Sequence, residues 1–104
     1  MGTYETHISQ RAQSDIREIA AYIIRELQQP DAARRLVEAL AEGIASLTQM
    51  PERFAVVADA RLAGMGVRKM KVGHHLVFFS IDTQQRRVCI LGILYERREW
   101  ETTL

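Results

Sequence analysis

Two amphipathic stripes dominate the first half of the chain. Between residues 10 and 27, apolar side chains recur every three or four positions, which predicts a helix with one buried face. The stripe consists of Ala12, Ile16, Ile19, Ile23 and Leu27. Ser9 stands directly before it, where its hydroxyl can accept a bond from a free amide of the first turn. The pattern therefore predicts a first helix from about Gln10 to Leu27.

A second stripe follows after a very short break. Pro30 cannot continue the first helix, but Pro30 or Asp31 can open the next one, and Pro51 ends it. The apolar positions are Ala33, Leu36, Val37, Leu40, Ile44 and Leu47. The short connection predicts an antiparallel helical hairpin, and its shared apolar side needs a further layer to cover it.

The rest of the chain predicts that layer. Strands are expected at 67–72, 76–81 and 87–94, joined by the turns GHH and DTQQR, while 53–66 is expected to be irregular. The last two strands are apolar at nearly every position, so both of their faces should be covered. A short strand is also expected at Thr3–Ile8. The order β-α-α-β-β-β predicts an α+β domain: a mainly antiparallel curved sheet with an N-terminal helical hairpin packed on one face.

Composition sets the broad class. The 104 residues correspond to one domain, 1–104, with 47% apolar and 26% charged residues, as in ordinary globular proteins. No run of 18 apolar residues and no basic-then-apolar N-terminus is present, so neither a membrane span nor a signal peptide is expected. The lone Cys89 cannot form an internal disulfide. A cytoplasmic location is the simplest expectation.

The charge is unevenly distributed along the chain. Residues 1–60 hold six Lys/Arg against nine Asp/Glu, whereas residues 61–104 hold eight against four. A basic second half favours an acidic partner, such as nucleic acid or an acidic protein segment. No metal-ligand spacing, phosphate-binding glycine loop or nucleophile elbow is present, so no metal or cofactor is expected.

The remaining chemistry is a set of cationic and aromatic residues on the predicted sheet. Strand alternation puts Lys69 and Lys71 on one face with Val67, and Arg68 on the other with Met70. The other members of the set are His74, His75, Tyr95, Arg97, Arg98 and Trp100. Guanidinium groups bind phosphate and aromatic rings stack on bases, so this face could hold RNA or, with Trp100 as an anchor, an acidic peptide.

Each of these residues also has a purely structural interpretation. The lysines can simply keep a sheet face soluble, the histidines can be ordinary turn residues, and Trp100 can pack on the sheet. Arg68 alternates with apolar neighbours, so it can be a structural arginine paired with a carboxylate such as Asp59 or Asp82. The pattern alone predicts a small α+β domain with a basic sheet.

Four segments together resemble the RelE/ParE superfamily, the toxins of bacterial type II toxin–antitoxin modules. The segments are YETHISQRAQSDIREIAAYI, PDAARRLVEALAEGIASLTQMPERF, GVRKMKVGHHLVFFSID and ILYERREW. Arg68 matches the arginine of the family's Gly-x-Arg element, and Tyr95 stands where ParE-like members usually have His, with Arg97 and Glu99 in register. The resemblance covers nearly the whole chain and implies the fold expected above.

The resemblance implies two alternative activities. A ParE-like toxin, favoured by the long helical hairpin, would inhibit DNA gyrase and arrest growth, as plasmid-stabilization toxins do. A RelE-like toxin would be a ribosome-dependent mRNA endoribonuclease, with Arg68, His75, Tyr95 and Arg97 as its catalytic residues. A non-toxic module that only binds antitoxin is the third alternative. All three imply a cognate antitoxin in a hetero-oligomer, and the target-binding residues would be Arg68, Lys69, Lys71, His74, Tyr95, Arg97, Arg98 and Trp100.

Overall fold

Three helices and four strands follow one another over residues 3–96, the part of the chain that the computed structural model describes. In chain order they are β1 (Glu5–Ile8), α1 (Gln10–Arg25), α2 (Pro30–Ser46), α3 (Ala60–Gly64), β2 (Arg68–Val72), β3 (His75–Asp82) and β4 (Arg87–Tyr95). A single 3₁₀ turn, Pro51–Arg53, precedes α3. The predicted β-α-α-β-β-β order is confirmed.

Helix α1 begins as predicted and ends slightly earlier. The Ser9 hydroxyl accepts a 3.0 Å bond from the Ala12 amide, which confirms the cap. The expected end at Leu27 is wrong, because Gln28 adopts a left-handed conformation with φ 53°. The amide of Gln29 then donates back to the Ile23 carbonyl at 3.1 Å, which closes the helix and turns the chain towards α2.

The four strands form one sheet in the order β1-β4-β3-β2. The pairs β2–β3 and β3–β4 are antiparallel, while β1 runs parallel to β4, so the mainly antiparallel sheet is confirmed. His75 does not lie in a turn, as the GHH segment predicted, but begins β3 opposite Tyr95. A tight turn at Gly73-His74 suffices, because Gly73 supplies the left-handed residue with φ 59°.

Both faces of β3 and β4 are covered, as predicted. On one face α1 and α2 pack through Ala12, Leu40 and Ile44 against the main core of the sheet. The sheet side of this core is formed by Met70, Val77, Phe79, Val88, Ile90 and Ile93. On the other face a smaller cluster is formed by Val57, Leu62, Val67, Leu76, Phe78 and Leu94.

The segment expected to be irregular contains the short helix α3, which supplies part of that second layer. Asp59 caps α3 by accepting a 3.0 Å bond from the Leu62 amide, and Leu62 packs into the smaller cluster. The Val57 amide donates to the Val67 carbonyl at 2.9 Å, so the same segment also binds the outer edge of β2. The prediction overlooked Asp59 as a capping residue.

A groove and a charge cluster at one end of the sheet

A β-bulge in β4 decides which side chains face the helices at the end of the sheet. Phe79 lies opposite Ile90 but Phe78 lies opposite Gly92, so Leu91 has no partner on β3. Before the bulge, the even-numbered Ile90 packs in the main core, whereas after it the odd-numbered Ile93 does. Beyond the bulge, Tyr95 therefore lies on the helix side of the sheet and the next residue, Glu96, on the opposite side.

On the helix side, α1 and the ends of β3 and β4 enclose a groove of about 750 Å³. Its walls are formed by Ile19, Tyr22, Ile23 and Leu27 from α1 and by His75, Ile93, Leu94 and Tyr95 from the strands, while Asp15 and Glu18 add two carboxylates. Three of these apolar or aromatic side chains are unusually exposed: Tyr22 at 58%, Leu27 at 49% and Tyr95 at 41%. We call this site the groove; its size and lining suit a peptide segment with an apolar side.

His75 contributes an imidazole ring to the lining of the groove. Its ring contacts Tyr95 edge-on, with 5.5 Å between ring centroids, and its Nδ1 is buried without a hydrogen-bond partner. Burial lowers the pKa of His75 below the usual 6.5, and the neighbouring His74 lowers it further, while Glu96 opposes the shift. Burial and His74 therefore both favour the neutral imidazole.

This lowered pKa of His75 predicts a loss of stability in mild acid. The unfolded chain takes up a proton on His75 at higher pH than the folded chain, so stability should fall as the pH drops from 7.5 through 6.5 to 5. His75→Gln should show a smaller fall, and His74→Gln, at an exposed position, should keep most of it. Urea midpoints at pH 7.5 and 5.0 measure the difference. Equal falls in the parent and His75→Gln would contradict the prediction.

On the opposite side of the sheet lies a charge cluster of Lys71, His74 and Glu96. The Glu96 carboxylate is 3.3 Å from Lys71 Nζ and 3.2 Å from His74 Nδ1, and the Glu96 amide donates to the His74 carbonyl at 2.9 Å. The hydrogen bonds from His74 and then from Lys71 lower the pKa of Glu96. The carboxylate thus ties the end of β4 to β2 and to the β2–β3 turn.

Arg68 lies elsewhere and has a structural partner. Its Nη1 donates to the carbonyls of Phe54 at 2.6 Å and Glu52 at 3.2 Å, so the expected carboxylate partner, Asp59 or Asp82, is wrong. Arg68 is opposite Phe79, four positions along β3 from His75 and two strands from Tyr95, which is a separation of roughly 15 Å. The structure therefore does not bring Arg68 together with Tyr95.

Of the other candidate residues from the sequence, some lie on the described sheet and some lie outside the described residues. Lys69 and Lys71 do share a face with Val67, as alternation predicted, and Lys69 is half-buried. Arg97, Arg98 and Trp100 lie outside the described residues. Sequence reasoning missed the groove-lining Tyr22 and Leu27 as candidates. The signal for Leu27 was the apolar stripe of α1, which continues past Ile19, the last stripe residue that packs on the main core. Tyr22 lies off that stripe.

Residues 3–96 were compared with the requirements of a metal site and of a membrane-spanning helix. No group of three or more His, Cys, Asp or Glu side chains in that range is arranged to hold a metal ion. None of the helices described there is both long enough and apolar enough to cross a membrane.

Solved structures of toxin–antitoxin complexes share this architecture. A chain of the chromosomal ParDE system from P. aeruginosa matches with a TM-score of 0.73 and 18% identity, over 89% of this chain and 96% of that one. A chain of the RelBE2 toxin–antitoxin complex from Mycobacterium tuberculosis matches with a TM-score of 0.69 and 19% identity, over 89% and 98%. No protein with a curated description matches the sequence. This chain therefore shares its fold with both of these solved chains.

A family model narrows the assignment. It is described as the ParE toxin of the type II toxin–antitoxin system parDE, and it matches residues 7–100. The chain belongs to this ParE toxin family. The match includes α1, the strands β2, β3 and β4 and every described residue of the groove and the charge cluster.

Proposed function

We propose that this chain arrests growth by inhibiting DNA gyrase and that a cognate antitoxin neutralises it. The observation that carries the proposal is the ParE family match over residues 7–100. Within the described residues, Lys69, Lys71, His74 and Tyr95 remain the proposed target-binding side chains. Arg68 is removed from that set, because its guanidinium is engaged by backbone carbonyls.

A supercoiling assay with purified gyrase tests the target. The chain, freed of antitoxin, should inhibit supercoiling and raise the level of cleavage complexes. Unchanged levels of both would overturn the gyrase proposal. Inducing the chain in a host without antitoxin gives a second result: growth arrest would exclude a module that only binds antitoxin.

A ribosome-dependent endoribonuclease is the second candidate, because His75 and Tyr95 lie together with 5.5 Å between their rings. A neutral imidazole can act as a general base towards a 2′-hydroxyl group. Against this activity, Arg68 is not placed to stabilise charge beside that pair. Primer extension on mRNA after induction decides between the two, because A-site cleavage would be expected only from the nuclease.

We propose the groove as the docking site of an antitoxin segment. Its exposed apolar walls would be covered by the apolar side of that segment, and a cationic residue would pair with Glu18 at the rim. Asp15 already has Arg11 3.8 Å away. A segment seated there would also cover Tyr95, one of the proposed target-binding residues, so neutralisation would be steric.

Two exposed apolar residues of the hairpin allow a matched test of this docking. Leu27→Asp should weaken antitoxin binding about 10- to 100-fold, because it replaces an apolar contact worth about 1.5–3 kcal/mol with a charge in an acidic groove. Ile24→Asp is the control: Ile24 is 46% exposed and Leu27 is 49% exposed, but Ile24 does not line the groove. Calorimetric titration measures both affinities. Equal losses, or no loss with Leu27→Asp, would contradict docking in the groove.

A further inference from the structure

The end of β4 is held on one side by a helix instead of a strand. Strand β1 accompanies β4 only as far as the pair Ile8–Ile90, and the Ser9 amide closes this pairing on the Ile90 carbonyl at 3.0 Å. Beyond that point the side of β4 away from β3 faces the start of α1. Without another partner, the backbone groups there would form an open sheet edge.

Side chains at the start of α1 take over the role of the missing strand. The Ser9 hydroxyl donates to the carbonyl of the bulged residue Leu91 at 3.3 Å. Two residues further on, the Ile93 amide donates to Asp15 Oδ2 at 3.0 Å. The Asp15 side chain is only 17% exposed, so this charge-assisted bond is largely shielded from water.

The bond to Asp15 is compatible only with the bulged strand. Backbone groups of alternate residues point to the same edge of a strand, and the Ile90 carbonyl points away from β3, towards Ser9. In a regular strand Gly92 would share that direction, and the Ile93 amide would point to β3. The extra residue Leu91 reverses this order, so that the Ile93 amide reaches Asp15.

The bulge in β4 also determines which side chains line the groove. Without the bulge, the odd and even positions after Ile90 would exchange faces. Tyr95 would leave the groove, and the Glu96 carboxylate would enter it beside Asp15 and Glu18. The burial of Ile93 in the main core favours the bulged arrangement as well. The bond from Asp15 adds a direct connection between α1 and β4, which are the two walls of the groove.

We propose that Asp15 is the positioning residue of the groove: by accepting the Ile93 amide it fixes the bulged register of β4 and joins the two walls at their shared end. This inference concerns the shape of the groove, and only its importance for antitoxin binding rests on the proposed function. Its test therefore needs no antitoxin and no gyrase.

Three substitutions in the full chain separate the hydrogen bond from the charge. Asp15→Leu keeps the branched shape of the side chain but removes the acceptor. Asp15→Asn keeps an acceptor oxygen without the charge, and Arg11→Gln removes the neighbouring cation while leaving Asp15 intact. Asp15→Ala, which adds no bulk, replaces the leucine variant if that variant does not fold.

Two measurements report on the register and the walls. Amide hydrogen exchange at Ile93, relative to Leu40 in α2, should be about tenfold faster in Asp15→Leu and within about threefold of the parent in the other two variants. The pKa of His75, followed by NMR, should rise towards 6.5 only in Asp15→Leu, because a loosened groove exposes the ring.

The outcomes are decisive in both directions. Faster exchange at Ile93 together with a higher His75 pKa in Asp15→Leu, and neither change in Asp15→Asn, supports the inference. Unchanged values in Asp15→Leu would show that the sheet core alone holds the bulge. Equal changes in Asp15→Leu and Asp15→Asn would show that the charge, and not the bond to Ile93, matters. Either of the last two results overturns the inference.

Discussion

Replacing Phe79 with alanine is expected to lower the free energy of unfolding by about 3–5 kcal/mol. Phe79 is completely buried in the main core, and its ring meets Phe54 edge-on with 6.1 Å between centroids. Truncation removes both the buried apolar surface and this ring contact, and it leaves a cavity between the sheet and the helical hairpin. Urea unfolding followed by far-UV circular dichroism measures the loss.

Met65→Ala serves as the control for Phe79→Ala. Met65 is 64% exposed, so its truncation should change the free energy of unfolding by less than about 0.5 kcal/mol. A loss below about 1.5 kcal/mol for Phe79→Ala would be inconsistent with a tightly packed core at this position. It would mean that the layer between hairpin and sheet relaxes around the missing ring.

Arg68→Ala is expected to cost about 2 kcal/mol of stability, although Arg68 belongs to the motif that resembles the family's functional segments. Its guanidinium donates to the carbonyls of Glu52 and Phe54, which lie on the connection that leads from α2 to the sheet. Without the guanidinium, both carbonyls lose their hydrogen-bond donor, and the connection between α2 and the sheet is held less firmly. Arg68→Lys should restore only part of the loss, because an ammonium group does not reproduce the geometry of the guanidinium.

The comparison with Lys71 separates structure from target binding. Lys71→Ala removes an exposed ion pair with Glu96 and should cost less than about 1 kcal/mol. If Arg68→Ala instead left the unfolding curve unchanged and abolished growth arrest, Arg68 would be a target-binding residue and its bonds to the carbonyls incidental. Chemical unfolding and a growth assay on both variants decide the question.

The sequence predicted the layers of the fold better than the placement of its functional groups. The stripes of α1 and α2 and the apolar runs of β3 and β4 reflect burial, and burial leaves a periodic pattern. The sequence predicts His75 in a turn because Gly73, His74 and His75 all suit one, and only the pairing of His75 with Tyr95 shows that the turn is shorter.

The bulge could not be predicted from the same pattern. Residues 88–94 are almost uniformly apolar, so the sequence carries no alternation from which to assign each residue to a face of the sheet. For the same reason, the sequence does not show that the bulge exchanges the faces on which Tyr95 and Glu96 lie. The contact between Asp15 and Ile93 joins residues 78 positions apart and leaves no local signal. For Arg68 the sequence does carry a signal, the Gly-x-Arg motif, but the motif does not reveal the role of the side chain. The guanidinium donates to a backbone carbonyl instead of binding a ligand.

The parallel pairing of β1 with β4 has a consequence for the order of assembly during protein synthesis. Glu5 pairs with Arg87 and Ile8 with Ile90, so the first strand emerges from the translating machinery long before its partner exists. At ordinary elongation rates this interval is roughly 4–16 s. Meanwhile the apolar stripes of the nascent hairpin lack the layer that later covers them. A newborn chain can therefore be captured by a chaperone before β4 is available to complete the sheet.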